Sequence, residues 1–139
     1  KKNTENSHFI PALIKKILKT SKKRKNKIVK LWGTGRPLRE VLYVDDVAEA
    51  CENFLKKKTK SSLINIGSSI EMSIKEYAYK IKNIIDPKVV IKFDNNKKLD
   101  GVKRKKLDLS LANRNGWKSK MNFSKVLYFT IEEYKNSQK

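Results

Sequence analysis

The chain switches repeatedly between helical and strand-like hydrophobic spacing, and that alternation leaves few ways to fold it. HFIPALIKKILKT places apolar residues at positions 10, 13, 14, 17 and 18, the helical spacing that makes one buried stripe, with Pro11 tolerated in the first turn. KIVKLWG and REVLYV are rich in β-branched and aromatic residues and predict two strands, joined by the turn residues GTGRP. Asp45 or Asp46 is expected to cap a helix running to about Lys57, because a carboxylate there accepts free amide hydrogens and complements the helix dipole. SLINIGSS predicts a short strand ending in glycine, and Ser73 with Glu76 forms an S-x-x-E capping box ahead of the helix IKEYAYKIKNII, which Pro87 stops. KVVIKFD predicts another strand and NNKKLDGVKRKKLD a long polar loop. SLANRNGW predicts a short helix ended by Gly116, and an amphipathic helix follows from Ser124, with apolar residues at 126, 127, 131 and 134. Strands alternating with helices give an α/β fold, and 139 residues suit one domain with a single sizeable core.

A formal net charge of +20 is the loudest compositional number, and alone it would point to a polyanion such as nucleic acid. Only five of the 34 basic residues are arginines, however, and Asn and Ile are also abundant. That drift is what A+T-rich codons produce, so most of the charge reads as a solvated lysine coat. No apolar run approaches the ~20 residues of a membrane span, and the polar start KKNTENSH precedes no apolar signal segment, so a cytoplasmic protein is expected. Cys51, the single cysteine, can form no internal disulfide; within VAEACENFL it is expected to be a core thiol.

No G-x-G-x-x-G, G-x-x-G-x-x-G or Walker string is present, so no usual phosphate cradle is encoded, and Tyr77 and Lys80 stand one residue too close for a Tyr-x-x-x-Lys pair. The remaining candidates are few. His8, the only histidine, precedes the first helix; an imidazole in such a place suits proton transfer or a plain structural role. Lys16 lies about two helical turns further on and can face the same cleft, or simply solvent. Trp32, at a strand end, can pack in the core or stack on a base. Arg39 sits among Leu38 and VLYV, where a guanidinium is costly to bury without an anion; Glu40, Asp45 and Asp46 are internal possibilities, and a bound anion is the other. Asp100 can offer a carboxylate to sugar hydroxyls and Lys105 an ammonium to phosphate, although LDG is also a common turn string.

Taken in order, ENSHFIPALIKK, WGTGRPLREVLYVDDVAEA, INIGSS, SIKE, LDGVKRKKLD and the GW of NGWK resemble the carboxyl-terminal half of the GDP-L-fucose synthase family, the GDP-4-keto-6-deoxy-D-mannose 3,5-epimerase-4-reductases of the extended short-chain dehydrogenase/reductase superfamily. The resemblance runs over nearly the whole chain. R-E-x-L-x-V-D-D is shared across nucleotide-sugar epimerases and dehydratases, whereas N-S-H-x-I-P-A-L-I with W-G-T-G-x-P-x-R-E is narrower. It implies an α/β substrate-binding lobe over 1–139, with strand and helix elements that complete a Rossmann-type domain whose amino-terminal NADP-binding portion is absent. It also implies an enzyme that inverts C3 and C5 beside a 4-ketone and then reduces C4 with NADPH, as a full-length homodimer. By resemblance, His8 is the catalytic acid beside the nicotinamide, and Lys16, Trp32, Arg39, Asp100 and, more loosely, Lys105 bind substrate. The family's Ser, Tyr-x-x-x-Lys and catalytic Cys belong to its other half; Cys51 does not correspond to that cysteine, and this chain alone is expected to be inactive. A related nucleotide-sugar epimerase or dehydratase is the alternative, and a basic nucleic-acid-binding module the more distant one.

Overall fold

The computed structural model describes residues 8–57 and 59–137. Asn6 and Ser7 of the N-S-H string lie outside the described residues. The elements run α1 (Phe9–Ser21), β1 (Ile28–Leu31), β2 (Leu38–Glu40), α2 (Val44–Lys56), β3 (Glu71–Ser73), α3 (Ile74–Ile85), β4 (Val90–Phe93), β5 (Arg104–Lys105), α4 (Ser110–Arg114) and α5 (Phe123–Asn136). They form two small sheets. β1 pairs parallel with β4, Val29 opposite Ile91; β2 lies between β3, antiparallel, and β5, parallel, with Arg39 opposite both Met72 and Lys105.

The main core follows from the helical stripes. Leu13, Ile14 and Ile17 of α1, Tyr77, Ala78 and Ile81 of α3 and Leu127 and Ile131 of α5 close over Val29 and Ile91 of the parallel pair. Each strand of this parallel pair alternates: Val29 and Ile91 are buried against the helices, while Ile28, Lys30, Val90 and Lys92 are exposed. A smaller cluster of Ala50, Ala112 and Trp117 packs with Leu42, Phe54, Ile64 and Ile66. Among the described residues no helix is long and apolar enough to cross a membrane.

Three expectations need correction. The second strand is only three residues long, and α2 begins at Val44 with Tyr43 at its N-cap; Asp45 and Asp46 lie inside the first turn instead of capping it. Asp46 is buried and accepts a hydrogen bond from Ser119 Oγ at 2.5 Å, so it anchors a loop. SLINIG forms no strand: an apolar run becomes one only where a neighbour supplies the ladder, and among the described residues none does. Its Ile64 and Ile66 pack instead on the smaller cluster. Cys51 is exposed, because α2 buries Asp46 and Ala50, and the next residue is turned about 100° away from that face.

Candidate functional site

Two clefts meet at Phe9, the first residue of α1. The smaller, of about 190 Å³, is lined by Phe9, Lys16, Trp32, Gly35, Ile74 and Asp100 among others. The larger, of about 410 Å³, holds His8, Phe9, Glu40, Tyr43, Asp46, Ser68, Ser119 and Phe123. Four of the six residues expected from the sequence therefore fall on this pair of clefts: Lys16, Trp32 and Asp100 on one side, His8 on the other. Lys105 lies apart, in a third hollow with Glu40, Leu42, Gly67 and Lys106. Arg39 lines none of the three, but its side chain reaches the loop that carries Asp100.

The WGTGRP turn builds one wall of the smaller cleft. Trp32 is 75% exposed at its mouth, so it is not a core residue. The turn beneath it is held from outside. Asp94 Oδ1 accepts the Gly33 amide at 2.8 Å, and Asp100 accepts both the Thr34 amide and the Thr34 hydroxyl, each at 2.6 Å. These bonds to Thr34 hold the Asp100 carboxyl below the usual carboxylate range. Asp100 thus has a structural task the sequence did not reveal, closing the polar loop onto the turn through Thr34. Gly35 has φ +72, and a Cβ there would lie 2.5 Å from Phe93 Cε1, so the turn passes where only glycine fits.

Among the described residues Arg39 has no carboxylate partner; Glu40 instead accepts the Ser69 amide at 2.7 Å, and Glu71 takes Arg104. Arg39 Nη1 donates to the carbonyls of Leu38 and Val102, at 2.7 and 2.8 Å. Arg39 therefore forms no salt bridge with Glu40, Asp45 or Asp46, and one guanidinium nitrogen is spent on fixing the loop after Asp100. Nε and Nη2 make no hydrogen bond among the described residues, and together they form the fork that matches a carboxylate or phosphate edge. In the larger cleft, burial, with Asp45 adding to it, pushes the Tyr43 phenol up. Among the described residues no group of His, Cys, Asp and Glu is arranged to hold a metal ion.

Residues 1–67 of this α/β chain match the family model described as NAD dependent epimerase/dehydratase family. The particular proteins it is similar to are GDP-L-fucose synthases. It is 36% identical over 130 residues to "Putative GDP-L-fucose synthase 2" of Arabidopsis thaliana, covering 94% of this chain and 39% of that protein. It is 31% identical to the GDP-L-fucose synthase of Escherichia coli K12, covering 96% and 44%. Among solved structures, a GDP-mannoheptose C4 reductase from Campylobacter jejuni with NADP bound superposes at TM-score 0.77, with 25% identity over 96% of this chain and 48% of the other. The chain thus spans about two fifths of the length of the curated relatives it matches.

Proposed function

We propose that this chain is the GDP-sugar-binding portion of an NADPH-dependent GDP-4-keto-6-deoxy-D-mannose 3,5-epimerase-4-reductase, an enzyme that makes GDP-L-fucose. The observation that carries the reading is the mouth of the smaller cleft, where the Trp32 indole stands exposed on a turn pinned by Asp94 and Asp100, with Lys16 lining the same cleft. A flat ring beside a cation suits a base and its phosphates. Arg39, through Nε and Nη2, is the residue proposed to meet the diphosphate, and Lys16 supports it. Asp100 contributes by shaping the turn, and Lys105 lies apart in its separate hollow.

His8, at the start of α1 in the larger cleft, is proposed to hold and return the proton at the carbons beside the ketone, whose acidity comes from enolate formation. NADPH supplies hydride in the family, but these residues do not build a dinucleotide cradle: the sequence contains no glycine-rich phosphate turn. That cofactor is therefore proposed to rest mainly on residues beyond these, with His8 at its nicotinamide edge, and a homodimer of the complete enzyme is proposed with it. Trp32 and Trp117 make the test direct, since one indole is exposed and the other buried. Titration with GDP-mannose should quench the exposed indole, and UDP-glucose should do so only at higher concentration. Tighter binding of the UDP-sugar would move the chain to the related epimerases, and salt-sensitive DNA binding without any response to GDP would overturn the enzyme reading altogether.

A further inference from the structure

The ligand-facing turn is templated by the helix behind it. A helix leaves its first amide hydrogens without intrahelical partners, and those of α3 can be accounted for one by one. Ser73 N donates to Glu76 Oε2 at 2.7 Å and Glu76 N to Ser73 Oγ at 3.1 Å, the reciprocal capping box. The two amides between them leave the helix: Ile74 N donates to the Pro37 carbonyl at 3.0 Å and Lys75 N to the Gly35 carbonyl at 2.9 Å. One turn further along, the Tyr77 hydroxyl donates to the Arg39 carbonyl at 3.0 Å. Carbonyls 35, 37 and 39 thus each receive a donor from α3. Tyr77 is fully buried, and its ring packs edge-on against Phe9 at 5.3 Å and Phe123 at 5.6 Å. A buried phenol is costly unless its hydroxyl is used, and a phenylalanine would fill this space equally well, so the hydroxyl marks a specific requirement.

We propose that Tyr77 is a positioning residue for the nucleotide site, setting the backbone of Arg39 through its hydroxyl while its ring fixes Phe9 between the two clefts. The proposal rests on the reading of Arg39 as a ligand residue and adds the group that aims it. The test is a double-mutant cycle on the 139-residue chain, with GDP-mannose affinity read by Trp32 fluorescence. Arg39→Ala should weaken binding. Tyr77→Phe, which keeps the ring contacts, should weaken it about three- to tenfold with Arg39 present and leave it unchanged in the Arg39→Ala background, the signature of action through that residue. Equal loss in both backgrounds, or no loss in either, overturns the positioning role while leaving the nucleotide reading intact. An Arg39→Ala variant with unaltered affinity overturns the assignment of Arg39 itself, and this role with it.

Discussion

Tyr77→Phe also has a consequence for stability whose size and pH dependence can be worked out. The variant removes one hydroxyl and keeps the ring that touches Phe9 and Phe123. At neutral pH it loses one buried hydrogen bond to the Arg39 carbonyl, so it should be less stable by about 1 kcal/mol. Burial, aided by Glu40, Glu71 and Glu76, pushes the phenol up from 10.0 to about 12. Because the folded value is raised, the unfolded chain gives up its proton first. The native state therefore keeps this contribution below pH 10 and loses it as pH rises from about 10 through about 12. At about 1.36 kcal/mol per unit, the loss reaches up to about 2.7 kcal/mol. The native protein should then fall below Tyr77→Phe above about pH 10.7, where the ionisation penalty equals the value of the hydrogen bond. Urea unfolding of both proteins between pH 8 and 12 measures this, since titration of the lysines cancels in the difference. A stability difference that does not change with pH would refute the burial argument.

Three further outcomes are expected. Ser73→Ala removes half of the capping box on α3 and should cost about 1 kcal/mol, with faster amide exchange at Glu76; an unchanged melting temperature and unchanged exchange would show that the cap is dispensable. Gly35→Ala sets a Cβ against Phe93 at a φ of +72 and should cost about 1–3 kcal/mol by chemical denaturation, together with weaker nucleotide binding; a neutral effect would mean that the turn can move away. Cys51 is exposed, so a thiol reagent should titrate one thiol per native chain promptly, and reaction only after unfolding would contradict its place on the outer face of α2.

How much of this was legible beforehand depends on the range of the interaction. The stripes of α1, α3 and α5 and the capping box at Ser73 and Glu76 were written in local spacing, because a helix stripe or a cap is satisfied by residues a few positions away, whereas the parallel pairing of Val29 with Ile91 was not. The residues of the candidate site were named by their resemblance to the GDP-L-fucose synthases, and Trp32, Lys16 and His8 do lie on its clefts. What no local pattern could decide was which of two partners each polar group would choose. Only the fold brings Thr34 to Asp100 across 66 positions and Val102 to Arg39 across 63, and so makes Asp100 the clasp of a turn and leaves Arg39 tethered through one nitrogen, with Nε and Nη2 making no hydrogen bond among the described residues. The same holds for Cys51 and for SLINIG, which sequence alone placed in a core helix face and a strand. A side chain's burial and a strand's ladder are both set by neighbours distant in the chain, and those neighbours exist only once the chain has folded.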